Sequence, residues 1–497
     1  MLRVNVEESS KTGGENLLRK YGVADGCCTA SSEDAHMLNL QPTVGARGQN
    51  QTMPNQLTVG KPRYGSLSTG NTDTSEVSAT LERTSEGIFV SITFSHDESP
   101  EYAQWFTPNY FDIAAVTAEK TQPRPPVPST LFFYDSHGPV ALVGCRNAGY
   151  HTNHRIGSGR VYVGAAVLAA PSTAHAKVMG MRSTVSGLRA WLGTSAISHT
   201  TNFDKQTGRF KSAEIQVVIP EVIDIPDSKL VLRPAINRTP RDGALMIEDI
   251  VWVEHKTEEE SSWRLHQLAM RAVRDLLAVS RWRDESLIPV SVARTEDSIK
   301  GDTPESERQQ WWRDVADSSA PEPKEETRRL EHLILWEDLG PEGLANWIKL
   351  RDDFARAVDP AVSSIYLEGV TVEVQLTQIA ISLEALGYLL FMRKDGASET
   401  KAGGISFQRR LNRIVQEVPG LLPFVDATWS QRMADTYNSV KHANRDLPQT
   451  VDVANSWREG ALLFRTWIAN ELGVERDKLR ERIARDSQIH SFIVAGD

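Results

Sequence analysis

Alternating apolar and polar positions dominate the middle of the chain and predict a β-rich domain over residues 75–295. Residues 87–94 and 160–168, for example, place apolar side chains at roughly every second position, as half-buried strands do. Clusters of Gly, Pro, Asn and Asp separate such runs, and two helical segments, residues 184–192 and 262–279, interrupt them. Many short strands with turns between them favour a sandwich-like or curled, barrel-like domain over a parallel sheet.

The apolar positions change to a helical period in the C-terminal part of the chain. Residues 336–486 are predicted to be all-helical, and residues 296–335, which are charged and contain prolines, to be the linker between the two domains. Helices joined by short connections form a bundle. The predicted helices cover residues 341–357, 363–391, 403–417, 429–447 and 451–472. The expected fold class is therefore α+β and multidomain, with a β-rich, sandwich-like domain followed by an all-α bundle.

The first 74 residues have a different composition. They are rich in Gly, Ser, Thr, Asn and Gln and poor in aromatic residues, so they cannot bury enough apolar surface to offset the entropy lost on ordering. We predict a disordered, low-complexity tail over residues 1–74. Met53 offers a second start position, so the sequence leaves open whether this tail belongs to the native protein.

Charge and cysteine content narrow the class of protein. The formal net charge is −10, whereas a protein that coats nucleic acid is normally basic. An enzyme that meets RNA only at a local basic patch is compatible with this charge. The three cysteines form no disulfide framework, and no apolar run is long enough to span a membrane. No signal peptide is visible at the start of the chain. We therefore expect a cytoplasmic protein that does not bind a membrane.

One cluster of potential metal ligands lies in the β-rich domain. Cys145, His151 and His154 follow each other as C-x5-H-x2-H, and thiolate and imidazole both bind zinc. A fourth ligand at a suitable spacing is missing, and the positive charges of Arg146 and Arg155 would compete with a metal ion. We expect neither a metal nor a cofactor.

The stretch from residue 429 to residue 447 has a spacing that indicates a reactive site. On a helix, four of its apolar residues share one side and five polar residues share the other. The apolar side carries Trp429, Met433, Tyr437 and Val440, and the polar side carries Asp435, Asn438, Lys441, His442 and Arg445. Because residues three or four apart are neighbours on a helix, Asn438, His442 and Arg445 are expected to converge. An imidazole beside an amide and two cations can stabilise a phosphodiester and move protons on it.

This stretch resembles the signature of a known family. Residues 437–442, YNSVKH, resemble the Arg-Asn-x-x-x-His signature of HEPN domains, and the Lys-His ending is similar to that of ApeA-type bacterial defence proteins. Residues 374–386, which include Glu384, resemble the glutamate-bearing helix upstream of that signature. The sequence departs from the pattern at Tyr437, where the family usually has arginine.

The β-rich domain carries a weaker resemblance. Residues 157–163, 185–192 and 244–253 are similar to parts of the N-terminal domain of ApeA-type proteins. In those proteins this domain is the sensor or regulatory half, which implies the same role here.

The resemblance implies a metal-independent ribonuclease that works as a homodimer through its HEPN domain. In that role His442 is the catalytic acid or base and Asn438 is its polar partner, while Glu384 orients a cation. Since Tyr437 occupies the place of that cation, Lys441 and Arg445 are the expected substitutes as phosphate-binding residues. The Tyr437 hydroxyl is expected to donate to a phosphate oxygen as a weaker stabiliser.

The implied biological role is anti-phage defence by abortive infection. The β-rich domain would sense a trigger, such as a phage protein, and would restrain the nuclease until the trigger arrives. Activation would degrade RNA, with tRNA as one candidate substrate. The sequence also leaves a second hypothesis open. Without the arginine, the helical domain would be a catalytically inactive scaffold that dimerises or binds RNA, and the β-rich domain would bind a ligand such as a carbohydrate.

Overall fold

The computed structural model describes residues 2–6, 55–71, 74–95, 99–106, 127–153, 156–241, 244–299, 309–319 and 332–493. Most of the tail predicted over residues 1–74 and much of the linker predicted over residues 296–335 lie outside the described residues. The described part is α+β, as predicted, with a large antiparallel sheet in the N-terminal region and a bundle of helices in the C-terminal region.

The strands belong mostly to one large sheet. In chain order they are β1 (Leu2–Val6), β2 (Arg63–Ser68), β3 (Val77–Thr84), β4 (Gly87–Ser95), β5 (Thr130–Asp135), β6 (Gly138–Val143), β7 (Arg146–Thr152), β8 (Ile156–Val163), β9 (Ala165–Leu168), β10 (Lys177–Val185), β11 (Ile197–Phe203), β12 (Phe210–Val217), β13 (Ile223–Asp224), β14 (Leu230–Arg241), β15 (Ala244–Ser262), β16 (Leu287–Ala293), β17 (Ser298–Ile299), β18 (Gln309–Gln310) and β19 (Arg313–Asp317). The large sheet has 14 strands in the order β13-β14-β15-β10-β16-β19-β9-β6-β5-β2-β3-β4-β8-β7. A small sheet has the order β1-β12-β11, and β17 pairs with β18.

The helices lie mainly after the sheet in the sequence. In chain order they are α1 (Pro100–Phe106), α2 (Leu188–Leu192), α3 (Trp263–Arg281), α4 (Trp336–Asp353), α5 (Ala355–Ile365), α6 (Val372–Arg393), α7 (Glu399–Gly403), α8 (Phe407–Glu417), α9 (Trp429–Lys441), α10 (Thr450–Glu471) and α11 (Arg476–Arg485).

The β domain extends beyond both boundaries that composition indicated. Strand β2 lies within residues 1–74, yet it pairs with β3 and with β5. Strand β19 lies within residues 296–335, yet it joins β16 to β9 in the middle of the large sheet. Both strands are short and have polar neighbours along the chain, so their alternation is too brief to stand out in the sequence.

The part of the large sheet that runs from β9 to β7 curls back on itself. Strands β8 and β9 are one chain segment bent at Gly164; β8 pairs with β4, whereas β9 pairs with β6. The strands between them therefore surround a separate hydrophobic core, which includes Leu81, Val90, Phe133 and Val161. Gly164 suits the bend because a Cβ atom there would lie 3.1 Å from the carbonyl oxygen of Val143.

Helix α3 joins the two halves of the molecule. It covers one face of β10 and β15, and its opposite side packs against the helical bundle. Met181 of the sheet, Leu276 of α3 and Trp467 of α10 consequently belong to the same continuous hydrophobic core. The Trp347 indole donates a hydrogen bond of 2.7 Å to the carbonyl oxygen of Ala272, which ties α4 to α3. The two domains are therefore packed together rather than merely linked.

The central helix of the bundle is α6. Among the described residues it is the one helix long and apolar enough to cross a membrane, with a mean hydropathy of 1.4. It packs against α5, α8, α9 and α10. Burial among these four helices explains why its side chains are so apolar. The prediction of one helix over residues 363–391 is wrong at its start. The chain breaks between α5 and α6, where Gly369 has a positive φ of 67°.

Candidate functional site

An ion pair between helices α6 and α8 forms the inner part of the candidate site. The Arg410 Nη1 atom donates to Glu384 Oε1 at 2.9 Å, and Nη2 donates to the carbonyl oxygens of Ala402 and Gly403, both at 3.1 Å. The Arg410 side chain is 9% exposed and that of Glu384 is 37% exposed. Gly387 allows this close packing, because a Cβ atom there would lie 2.4 Å from the Arg410 Cβ. The guanidinium is thus held at a fixed place on the Glu384 carboxylate.

Tyr437 lies in the interface between α8 and α9 and is 4% exposed. Its ring packs edge-on against Phe407, with 5.3 Å between centroids, and the Lys441 ammonium lies 5.4 Å from its centre. Burial raises the pKa of the Tyr437 hydroxyl, and the nearby negative charge of Glu384 raises it further. Tyr437 therefore stays a neutral phenol beside the ion pair, with its ring in the protein interior.

The signature helix is shorter than expected, and the prediction of a helix through residue 447 is wrong. Helix α9 ends at Lys441, and His442 already has an extended backbone with φ −112° and ψ 112°. The His442 N–H still donates to the carbonyl oxygen of Asn438 at 3.0 Å, and the Arg445 N–H donates to that of His442 at 3.0 Å. Asn444 and Asp446 compete with helical backbone bonds, and Pro448 disfavours helix at the residue before it.

The residues after Lys441 form an exposed turn. Asn438 is half-buried on the last turn of α9, whereas Lys441, His442 and Arg445 are exposed. His442 and Arg445 are neighbours because the backbone turns between them, and not because they lie on one side of a helix. Within the described part of the chain, the side chains of His442 and Arg445 form no ion pair. We refer to residues 441–445 as the signature turn. Its cations are available to an anion from solution.

The signature helix is fixed from behind by α10. The Trp429 indole, 1% exposed, donates a hydrogen bond of 2.9 Å to Glu459 Oε2. Burial raises the pKa of the Glu459 carboxyl. Gly460 lets α6 and α9 approach α10 closely, because a Cβ atom there would meet Ile379 Cγ2 at 2.7 Å and Met433 Cε at 3.0 Å. The signature turn therefore extends from a rigid support.

Arg410 is the one site residue that the sequence motif did not single out. It lies in the basic segment predicted over residues 403–417, where nothing in the spacing separates it from Arg409 or Arg413. Spacing within α6 places Gly387 on the same helix face as Glu384, three residues later, but it does not indicate which arginine of α8 packs there. The cation that pairs with Glu384 thus comes from α8, whereas Lys441 and Arg445 were the expected substitutes.

The cysteine and histidines considered as zinc ligands have separate environments. Cys145 is buried, its thiol lies 3.6 Å from the carbonyl oxygen of Leu142, and burial raises its pKa to about 12. A protonated, buried thiol is a poor metal ligand. His151 lies on the exposed strand β7, and His154 lies outside the described residues. The described residues contain no group of three or more His, Cys, Asp or Glu side chains arranged to hold a metal ion.

A β domain packed through one helix onto a bundle, with a glutamate-bearing helix beside an Asn-x-x-x-His segment, defines a HEPN-type protein. Comparison with family models agrees: the model described as ApeA N-terminal domain 1 matches residues 64–347, and that described as Apea-like HEPN matches residues 379–478. The first match alone covers more than half of the chain, so the protein belongs to the ApeA family and is a defence-associated HEPN-type protein. No curated protein and no solved structure gives a match.

Proposed function

We propose that the protein is a metal-independent endoribonuclease that acts in anti-phage defence. The observation that carries this proposal is the signature turn, in which His442 is exposed between the cations Lys441 and Arg445. The turn follows a helix that is fixed at its other end by the bond between Trp429 and Glu459. A reactive group on a rigid support is held near a productive geometry without loss of access to a large substrate.

The proposed chemistry is transesterification at the RNA backbone. A base removes the proton from a 2′-hydroxyl, its oxygen attacks the adjacent phosphorus, and an acid donates a proton to the departing 5′-oxygen. His442 is the proposed acid or base, and Asn438 supports it from the preceding helical turn. Lys441 and Arg445 would stabilise the negative charge on the phosphorane oxygens. The Glu384–Arg410 pair and Tyr437 have a positioning role in this scheme, because their polar groups lie inside the helix interface.

We propose that the active form is a homodimer through α6. Val374, Ile381 and Tyr388 follow each other at intervals of seven residues along α6 and form a stripe. Val374 and Ile381 are 41% and 40% exposed, and Tyr388 is half-buried. Residues seven apart share one side of a helix, so this stripe is an apolar surface next to Glu384. A second copy would cover the stripe and bring two signature turns into one assembly, which supplies both an acid and a base.

Packing between the domains supports a regulatory role for the β domain. The Arg465 side chain of α10 is 1% exposed; it donates to the carbonyl oxygens of Val279 at 2.8 Å and Ser280 at 2.7 Å, at the end of α3. The same α10 bears Glu459, which holds Trp429 of the signature helix. A trigger that displaces α3, such as a phage protein bound to the β domain, would therefore act on the helix that supports the turn.

A second candidate function is an inactive scaffold that binds RNA or only dimerises. One observation favours it: Tyr437 stands in place of the expected arginine, while Arg410 is buried and engaged by Glu384. No fully exposed arginine then lies on α9 beside the histidine. In this alternative the β domain would bind a ligand, such as a carbohydrate, and the helical bundle would not cleave RNA.

The deciding experiment compares cleavage of total RNA and of tRNA in EDTA by the wild type, His442→Ala and Tyr437→Arg. His151→Ala is the matched control, because it removes an exposed histidine from strand β7. We expect cutting by the wild type and the control, and none by His442→Ala. Cutting by Tyr437→Arg alone would establish a disabled scaffold. The same variants expressed in cells, with growth as the readout, cover the case of an enzyme that stays restrained after purification.

The dimer has its own test. Ile381→Glu should lower the molar mass in solution from that of a dimer to that of a monomer and should abolish cleavage, because it puts a charge in the apolar stripe. Leu245→Glu, a substitution of another exposed apolar residue, on strand β15, should change neither. A wild-type monomer that cuts RNA would contradict the proposed assembly.

A further inference from the structure

Four charged residues on the open face of the large sheet form a second cluster, away from the helical domain. Arg182 of β10, Arg233 of β14 and Lys256 of β15 all contact the Glu254 carboxylate, at 2.7, 2.9 and 2.9 Å. Glu254 is 1% exposed, while Arg182, Arg233 and Lys256 are 14%, 31% and 46% exposed. The carboxylate is thus the buried centre of the cluster, and the cations reach the surface around it.

Two indole rings complete this surface. The Arg182 guanidinium carbon lies 3.9 Å from the centre of the Trp312 ring and 4.9 Å from that of Trp252. The Lys256 ammonium lies 5.6 Å from the Trp312 ring. Gly180 lets the indole lie directly on strand β10, because a Cβ atom there would be 2.8 Å from Trp312 Cη2. The cations are consequently held beside flat aromatic faces.

The cluster carries an excess of positive charge. Burial alone would raise the pKa of Glu254, but Arg182, Arg233 and Lys256 outweigh burial and lower it to about 2. The carboxylate is therefore ionised at neutral pH, and three cations against one anion leave an excess of two charges. This excess stands out in a chain whose formal net charge is −10. Cations gathered on one buried carboxylate repel each other, and a second anion would relieve that repulsion.

The cations also have hydrogen-bond donors to offer. Arg182 bonds Glu254 through Nε, and within the described residues its two terminal nitrogens have no hydrogen-bond partner. The terminal groups of Arg233 and Lys256 are partly exposed. Phosphate oxygens are the ligands that best match several guanidinium and ammonium donors around one point.

A cleft adjoins the cluster. It has a volume of about 370 Å³ and lies between the β13–β14 hairpin and β15. Its polar lining includes Lys229, Lys256, Ser228 and Thr257 together with the carboxylates of Asp224 and Glu258, and the Lys229 ammonium lies 3.5 Å from Glu258 Oε1. The Lys256 N–H donates to the carbonyl oxygen of Lys229 at 3.3 Å, so the two lysines are neighbours across the strands. Lys229 directly precedes β14, the strand that carries Arg233. The volume is in the range of small-molecule sites.

We propose that this face binds a nucleoside polyphosphate. The phosphates are bound by Arg233, Lys256 and Lys229 with the free donors of Arg182, and the nucleoside occupies the cleft beside Lys256. Neither the family match nor the proposed ribonuclease chemistry is needed for this site, because it lies on β10, β14 and β15 and shares no residue with the signature turn. It gives the β domain a chemically defined ligand.

The test is calorimetric titration of the full chain with ATP, tripolyphosphate and adenosine at low salt. We expect ATP to bind, tripolyphosphate to bind more weakly, and adenosine not to bind measurably. Arg233→Gln with Lys256→Gln should weaken ATP binding by about tenfold or more, since charge-assisted bonds to phosphate are lost. Lys349→Gln is the matched control, because Lys349 is exposed and, among the residues that the structure describes, forms its ion pair with Asp227 near the same hairpin.

Several outcomes would overturn the proposal. No heat with millimolar ATP would do so, as would equal affinities for tripolyphosphate and ATP, which would remove the nucleoside from the assignment. An equal loss in Lys349→Gln would show a general charge effect. Glu254→Gln separates a binding site from a purely structural clamp. It removes the competing anion, so we expect lower thermal stability together with tighter ATP binding, whereas a clamp would lose stability with no gain in affinity.

Discussion

The Glu384–Arg410 pair and the signature turn belong to the same candidate site, yet they are built in opposite ways. Arg410 is nearly buried, donates to two backbone carbonyl oxygens and to a carboxylate, and is packed against Gly387. His442 and Arg445 are exposed and follow the end of their helix. The pair should therefore contribute to the stability of the bundle, and the turn should determine whether the surface binds an anion and reacts with it.

This difference explains how the helix interface can be complete with a tyrosine at position 437. The buried Tyr437 fills the interface with an aromatic ring, and Arg410 supplies the cation that Glu384 requires. The Glu384 carboxylate is partly exposed, whereas the Arg410 guanidinium is nearly buried and would be unfavourable there without an anionic partner. The structural half of the site is thus complete without an arginine at position 437, and the proposed reaction depends on the signature turn.

The largest expected effect is on activity and concerns the turn. His442→Ala should reduce RNA cleavage by about 10²–10⁴-fold, the usual contribution of a proton-transfer group. The free energy of unfolding should change by less than about 0.5 kcal/mol, because the side chain is exposed and packs against little. Cleavage assays and denaturant unfolding of the same preparation measure both. A large loss of stability in His442→Ala would erase the distinction between the two regions.

The second effect is on stability and concerns the pair. Arg410→Met should lower the free energy of unfolding by about 2–3 kcal/mol, because Glu384 and two carbonyl oxygens lose their partner, although Glu384 keeps some contact with water. Arg409→Met changes the adjacent, exposed arginine and is the control; it should be nearly neutral. Equal unfolding curves for both variants would show that Arg410 is not a structural residue.

The third effect is smaller. Glu384→Gln keeps the shape of the side chain and one acceptor for Arg410 but removes the charge, so we expect a loss of about 1 kcal/mol. Combined with Arg410→Met, it should add almost nothing, because the two residues act as one unit. Denaturant unfolding of the two single variants and the double variant measures this coupling. Additive losses would mean that Glu384 has another partner.

The smallest effect concerns the cations of the turn that we propose to bind phosphate. Lys441→Gln and Arg445→Gln should each weaken RNA binding mildly and reduce the slope of log affinity against log salt by about one unit or less. Lys478→Gln, an exposed lysine on α11, should leave that slope unchanged. Binding of a labelled tRNA at several salt concentrations measures it. Unchanged slopes for the two turn variants would remove Lys441 and Arg445 from the RNA-binding surface.

The sequence predicted the features that depend on local periodicity. Alternation in residues 87–94 and 160–168 marks strands β4, β8 and β9, and helical spacing after residue 336 marks the bundle. The position of the apolar side of the signature helix also follows from spacing, because Tyr437 is buried on that side. Such patterns are strong when many neighbouring residues share one environment.

Features that depend on distant contacts could not be predicted in the same way. Strand β19 is defined by pairing with β16 and β9, which lie far away in the sequence. The match of Arg410 to Glu384 depends on how α8 crosses α6, and helical spacing within one segment carries no information on that crossing. Helical periodicity alone does not show that α9 ends at Lys441, because a helical wheel extended beyond that residue still places His442 and Arg445 on one side. The cluster on Glu254 likewise needs three strands in register.

The chemistry of the cleaved ends tests the central claim most directly. In this experiment a tRNA is incubated with the wild type in EDTA, and any new termini are identified by their sensitivity to phosphatase and by mass. Attack by the 2′-hydroxyl with proton transfer through His442 leaves a 2′,3′-cyclic phosphate and a 5′-hydroxyl, and we expect these ends, with none formed by His442→Ala. Ends with a 3′-hydroxyl and a 5′-phosphate, or cleavage that stops in EDTA, would contradict a metal-independent reaction at the signature turn.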